Sequence, residues 1–314
     1  MKSGMLRRPR LFRMTPRESS TGSENIARNS GGKMGAGPQQ PPRMQHERAP
    51  IPGVKNLIAV ASGKGGVGKT TVAVNLAIAL AKMGNRVGLL DADVYGPNVP
   101  TMLGTQEQPQ ATGERQILPV EVNGLRVISM GLLVPEDRPM IWRGPMLHSV
   151  IQQFLRSVVW GELDYLVVDL PPGTGDVQLT LIQTVPVTGA IIVTTPSIVA
   201  LADVRKAIEM FRQVNTDILG VVENMSYFRA PDGSRHYIFG QGEGRRVAEQ
   251  FGVPFLGEIE LDPRIRIGGD TGKPVALDDR EAPAARGFYA VAEAVQARVA
   301  ALAASATGPV VQID

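Results

Sequence analysis

The stretch "LIAVASGKGGVGKTTVAVNLAIAL", residues 57–80, decides the fold. It opens on an apolar β-type run, "LIAVAS" (57–62), turns through a glycine-rich loop, and continues with Val72, Leu76, Leu80 and Met83 at helical spacing. The loop Gly63-Lys64-Gly65-Gly66-Val67-Gly68-Lys69-Thr70 fits G-x-x-x-x-G-K-[ST] between strand and helix, the context that gives the pattern structural meaning. Its glycines let successive N–H groups converge on phosphate oxygens, and the helix starting near Lys69 adds its positive dipole end. Lys69 is then the cation for the β/γ-phosphates, the Thr70 hydroxyl a ligand for Mg²⁺, and Thr71 part of the same nucleotide site. Lys64 is one lysine more than such a loop needs.

Working outward, "RVGLLD" (86–91) completes a βαβ unit. "MLHSVIQQFLRSVV" puts Leu147, Val150, Ile151, Phe154, Leu155 and Val158 on one face before "YLVVDL" (165–170). The alternation continues through "GAIIVTT" (189–195), a helix near 199–213, "ILGVVEN" (218–224), a helix near 242–251 and "PFLGEI" (254–259). "FYAVAEAVQARVAALA" closes it with Phe288, Val291, Val295, Val299 and Leu302 in helical register. Continuous apolar strands separated by helices predict an α/β fold, a doubly wound and mostly parallel sheet covered on both faces. Ligands of such sheets bind at the carboxyl ends of the strands. Lys64 to Thr71, Asp91 and Asp93, Asp169, and Asn224 all fall at those ends.

Hydrolysis needs a metal-side acid and a positioned water as well as a phosphate cradle. Asp169 ends an apolar strand before "PPGTGD" and is expected to hold Mg²⁺ with Thr70. Pro171 and Pro172 force a turn that offers the Gly173 N–H to a γ-phosphate, and Asp93, in "LLDADVYGP", is expected to orient the attacking water. Asp91 is expected to fix the loop that carries Asp93.

Composition limits the alternatives. The chain has 314 residues, 43% hydrophobic and 20% charged, and no apolar run nears the ~20 residues of a membrane span. Residues 1–50 hold ten Lys/Arg against three Asp/Glu, a net +7 within a whole-chain +3, which leaves −4 for residues 51–314. That Gly/Pro/Gln/Ser/Arg-rich stretch is expected to be a disordered basic tail, followed by an ATPase domain over 51–304 and a flexible end over 305–314. The tail reads as a solvated extension, with Met34 and Met44 as later starts, as an arm for nucleic acid or a membrane surface, or as a mitochondrial presequence. A cytoplasmic location is expected, with the mitochondrial matrix as the alternative, and no specific nucleic-acid partner. The sequence holds no cysteine, and His46, His148 and His236 are scattered. Thiolate chemistry is therefore excluded for this chain.

"SGKGGVGKTT" resembles the deviant Walker A motif of the ParA/MinD and nitrogenase-iron-protein group. The resemblance implies a homodimer in which Lys64 crosses to the partner's nucleotide, as an arginine finger does; a salt bridge at the loop's own rim is the plainer role. Longer segments, among them "LLDADVYGPNVPTMLG", "ISMGLLV", "IWRGPML", "GVVENMSYF" and "FGVPFLGEIELDPRIR", are similar to the Mrp/ApbC family of iron–sulfur cluster carrier ATPases over about residues 53–275. Membership implies ATP binding and hydrolysis with Mg²⁺, Lys64, Lys69 and Asp93 in catalysis, Asn224 reading the adenine, and Fe–S apoproteins or a cluster-donating scaffold as partners. Trp142 and Arg143 match the family's WRGPM stretch. Where the family carries C-x-x-C after "NMSYF", this chain reads "RAPDGS", with Ala230 and Gly233 at the cysteine positions. No Fe–S ligands are assigned in this chain, so a cluster would be held by a partner or by non-Cys groups such as His236, near Asp232 and Arg235. A ParA/MinD-like positioning ATPase and a nucleotide-dependent regulator without a cluster role are the alternatives. The first calls for a Lys/Arg-rich amphipathic C-terminal helix, and the small-residue "AVAEAVQARVAALAASA" reads instead as a packing helix.

Overall fold

A computed structural model describes residues 48–93, 96–113, 116–133, 144–197 and 200–306. The tail over 1–47, with Met34, Met44 and His46, lies outside them, as do Trp142, Arg143 and residues 307–314.

The elements run β1 (Val54–Ala61), α1 (Lys69–Lys82), β2 (Val87–Asp91), α2 (Val99–Leu103), β3 (Gln110–Ala111), β4 (Ile117–Leu118), β5 (Val120–Val122), β6 (Leu125–Ser129) and α3 (Gly144–Arg156). They continue with β7 (Leu163–Asp169), α4 (Asp176–Thr184), β8 (Gly189–Thr194), α5 (Ala200–Gln213), β9 (Ile218–Glu223), β10 (Phe228–Arg229) and β11 (Arg235–His236). α6 (Glu243–Phe251), β12 (Phe255–Glu258), α7 (Pro263–Asp270) and α8 (Pro283–Ala306) complete the chain. Eight strands form one sheet in the order β12-β9-β8-β1-β7-β2-β6-β5, and only β5 runs antiparallel to its neighbour. The expected doubly wound α/β architecture is thus present. β1 stands at its centre with β7 on one side and β8 on the other.

Side-chain alternation along β1 divides the core. Ile58 and Val60 face one layer with α1, α2, α7 and α8, whereas Leu57, Ala59 and Ala61 face another with α3, α4, α5 and α6. Helix α1 differs from the one-sided stripe read from the sequence. Val72 to Leu80 are all buried, Ala73, Val74, Ala77 and Ile78 included, because the helix lies between the sheet and α8. Helix α8 is the packing helix expected: Phe288, Val291, Val295 and Val299 all point into that layer.

Two expected boundaries move. Arg48 donates from Nη2 to the carbonyl of Val214 at 2.8 Å, so the packed region begins before residue 51. Helix α8 runs through Ser305, whose hydroxyl bonds the carbonyl of Ala301 at 2.8 Å, so the C-terminal end expected to fray from 305 is still helical there. Among the described residues no helix is long and apolar enough to cross a membrane.

The antiparallel edge was not expected either. β5 and β6 are joined by Asn123-Gly124, with φ of 52° and 76°, the two positive values of a type I′ turn.

Candidate functional site

The phosphate loop leaves β1 at its carboxyl end and enters α1, as the sequence predicts. Two glycines of the loop leave no room for a side chain. Gly68 has φ +79°, and a Cβ there would lie 2.2 Å from Asn224 Nδ2; a Cβ on Gly63 would lie 2.2 Å from the backbone of Asp203 in α5. The hydroxyl of Ser62 donates to the carbonyl of Lys64 at 2.9 Å and fixes the start of the loop.

At the mouth of the central strands Lys69 Nζ lies 2.7 Å from Asp169 Oδ1, and the Thr70 hydroxyl donates to Asp169 Oδ2 at 2.7 Å. Asp169 is wholly buried at the end of β7, and burial pushes its carboxyl up from the usual value. The Lys69 cation and the bonds from Lys69 and Thr70 oppose that shift, while the charge of Asp93 adds to it. This is a charge-assisted knot of one cation, one hydroxyl and one carboxylate. Its oxygens form the hard donor set that suits Mg²⁺.

Lys64, Lys69, Thr70, Asp93, Asn224 and Met225 share the wall of one cavity of about 470 Å³. Lys64 lines this cavity, and among the described residues no ion pair to it is found. Asp91, wholly buried at the end of β2, is pushed up to about 8 by burial first and then by the charge of Asp169. It accepts the N–H of Asp93 at 3.1 Å and so holds the loop that carries Asp93.

Two residues expected to meet the nucleotide have partners within the protein. The N–H of Gly173 donates to the carbonyl of Ser62 at 3.0 Å, so this geometry does not offer it to a γ-phosphate; the proline turn instead ties the end of β7 to the loop. Asn224 donates from Nδ2 to the carbonyl of Val67 at 2.9 Å and so braces the phosphate loop from below.

The far wall of the cavity was not read from the sequence as a site. It comes from Glu260, Leu261, Asp262 and from Ile265 and Arg266 of α7. Asp262-Pro263 carried the signal, an N-cap acid before a first-turn proline, and Asp262 does accept the N–H of Arg264 at 2.8 Å.

The segment aligned with the family's cysteines is a short hairpin. β10 pairs with β11, and the Gly233 N–H closes a turn on the carbonyl of Ala230 at 2.9 Å. Gly233 has φ +87° with open space where a Cβ would stand, so room exists but an L side chain is strained. Asp232 and Ser234 bond each other at 2.6 Å, and the Ser234 hydroxyl lies 3.0 Å from His236 Nε2. Among the described residues no three His, Cys, Asp or Glu side chains gather to hold a metal, so the expected recourse to His236 finds no companion ligands there.

A glycine-rich phosphate loop at the central strand of a doubly wound sheet, with a lysine, a threonine and a strand-end acid converging behind it, defines a P-loop NTPase. The chain belongs, more narrowly, to the ParA-type family described as the NUBPL iron-transfer P-loop NTPases, whose model matches residues 53–296. An iron-sulfur cluster carrier protein of Deinococcus radiodurans is 57% identical over 251 residues, 79% of this chain and 71% of its own. The iron-sulfur cluster transfer protein NUBPL of Dictyostelium discoideum is 46% identical, over 83% of this chain and 81% of its own. Among solved structures, a nucleotide-binding protein of Archaeoglobus fulgidus in complex with ADP superposes with a TM-score of 0.64 at 41% identity, over 71% of this chain and 88% of that one. The cell division ATPase MinD of Pyrococcus furiosus shares the fold at 24% identity and a TM-score of 0.59, over 77% of this chain and 98% of its own.

Proposed function

We propose that the chain is an ATP-hydrolysing dimeric switch that serves iron–sulfur cluster transfer while a partner, a scaffold or an apoprotein, supplies the cluster's ligands. The observation that carries the reading is the Lys69–Asp169–Thr70 knot opening into the cavity that Asp93 and Lys64 also line. The phosphates of ATP draw Lys69 away from Asp169, because their oxygens offer a denser negative charge than one carboxylate. Thr70 and Asp169 are then the oxygen donors for Mg²⁺, which supplies charge neutralisation on the phosphates when bound. Asp93 orients the attacking water, and Lys64, without an acidic partner among the described residues, reaches across a dimer to the other nucleotide. Asn224 keeps Val67 and Gly68 in place and turns its carbonyl oxygen toward the amino group of the adenine.

The relatives' printed names supply the iron–sulfur context. The sequence sets its limit, since cluster irons take thiolates and this chain has no cysteine. A positioning ATPase held at a surface by its last helix fits poorly, because α8 buries its apolar residues against α1 and β12. The test is MgATP turnover together with sizing by light scattering. Turnover that rises with protein concentration, and a dimer seen with ATP but not ADP, are the expected results. A monomer that hydrolyses ATP at a concentration-independent specific rate contradicts the switch.

A further inference from the structure

Ser129 lies three strands from the phosphate loop and carries none of the roles assigned above. It ends β6 in register with Asp91 of β2, which is in turn in register with Asp169 of β7. The side chains of Ser129 and Asp91 are both fully buried. The Ser129 hydroxyl donates to Asp91 Oδ2 at 2.8 Å and accepts the N–H of Gly131 at 3.1 Å. The same Oδ2 receives the N–H of Val99, the first residue of α2, at 3.4 Å, and Oδ1 receives the N–H of Asp93 at 3.1 Å. One buried carboxyl group thus ties together both ends of the loop that carries Asp93, and Ser129 is the side chain that holds that carboxyl group.

Packing alone does not call for this pair. A buried acid is costly unless its oxygens keep their donors, and an apolar residue would fill the space without that cost. Among the described residues Asp91 has three donors: two are backbone N–H groups at the ends of the loop being held, and the Ser129 hydroxyl comes from outside it, anchored on the sheet. Without it, Oδ2 keeps one long bond, and the carboxyl group is free to turn about its χ2 and release Asp93.

We propose that Ser129 is a positioning residue for hydrolysis, acting through Asp91 to hold Asp93 where the attacking water is oriented. The proposal rests on the reading of Asp93 as the water-orienting acid. It separates binding from turnover, because the phosphate loop is held by Asn224 and Ser62 and not by this pair.

The test is steady-state MgATP hydrolysis and equilibrium ATP binding by the full chain carrying Ser129→Ala, Asp93→Asn, or both. Ser129→Ala is expected to lower kcat about 10- to 100-fold, the cost of a misplaced catalytic group, with ATP affinity unchanged. Adding Ser129→Ala to Asp93→Asn is expected to lower kcat no further, since the first acts through the second. Ser129→Thr and Ser129→Val, alike in shape and different in the hydroxyl, provide a second pair: Thr retains turnover and Val loses it. Full additivity in the double variant, a joint fall in affinity and kcat, or equal rates for Thr and Val would each overturn the proposal. Wild-type kcat in Ser129→Ala beside a slow Asp93→Asn overturns the role of Ser129 alone. Wild-type kcat in Asp93→Asn overturns the water-orienting reading and this proposal with it.

Discussion

The carboxyl ends of β1, β2 and β7 and the tip of the β10–β11 hairpin are opposite in construction. The first region buries its charges and closes them on one another: Lys69, Thr70 and Asp169 within 2.7 Å contacts, Asp91 under three donors. The second is open, with Pro231 to Phe239 exposed, the side chains of Asp232, Ser234 and His236 bonded to one another, and Arg235 lying over the Tyr227 ring. Buried polar networks are held in one geometry because every loosened group costs its solvation; an exposed turn is not. Nucleotide chemistry, which needs fixed geometry, sits in the first region. The hairpin, where the family resemblance places cysteines, presents instead a strained glycine, a proline and the exposed side chains of Tyr237, Ile238 and Phe239. The chain carries the phosphate loop of its family and has no cysteine.

The contrast is broken most sharply in the first region. Lys69→Ala is expected to weaken ATP binding by about 100-fold or more, the loss of charge-assisted bonds to phosphate. Lys64→Ala is expected to leave binding within a few-fold and lower turnover on the order of 10³-fold, as removal of an arginine-finger-like cation does. Nucleotide titration beside turnover separates them, and equal loss of binding in both removes the cross-dimer role. Asp93→Asn comes next, with kcat down about 100-fold and MgATP affinity near wild type; a parallel fall in affinity makes Asp93 a metal or structural residue. Asn224→Ala removes the brace under Val67 and is expected to cost about 3- to 10-fold in ATP affinity, one ordinary hydrogen bond. Unchanged affinity shows that the loop holds its shape unaided.

The smallest effect is a pH slope. Burial lifts the Asp91 carboxyl to about 8 in the fold. The unfolded chain titrates near the ordinary carboxylate value of about 4, so the stability tied to the protonated form is complete below about pH 4 and is lost as pH rises through about 8. Melting temperatures of the nucleotide-free protein should therefore fall over that window, and Asp91→Asn should flatten the fall. Parallel slopes in the two proteins remove Asp91 as its source.

What the sequence revealed of these two regions follows from how each is built. The phosphate loop and the ends of β2, β7 and β9 are local: a strand, a short polar motif and a helix, readable because motif and periodicity coincide at Gly63–Thr70. The roles of Gly173 and Asn224 were less legible, since their partners, Ser62 and Val67, lie more than a hundred residues away in sequence. Ser129 left no local trace at all. Its contact with Asp91 depends on sheet order, which sets β6 between β2 and β5. The β5–β6 hairpin did leave one, the Asn123-Gly124 pair between "VEV" and "LRVIS", but strands of only three and five residues are too short to show a period.

The central claim is that the nucleotide half works without a cluster held by this chain. Anaerobic reconstitution with iron and sulfide, desalting and iron analysis test it, run on the wild type beside Ala230→Cys/Gly233→Cys. Ala230 is part-exposed and Gly233 has open space for a thiol, at a cost of about 1–2 kcal/mol for its φ of +87°. The predicted result is substoichiometric iron in the wild type, with ATP turnover intact, and about four irons per dimer in the double-Cys variant. Stoichiometric iron retained by the wild type, and lost in His236→Ala, would contradict it.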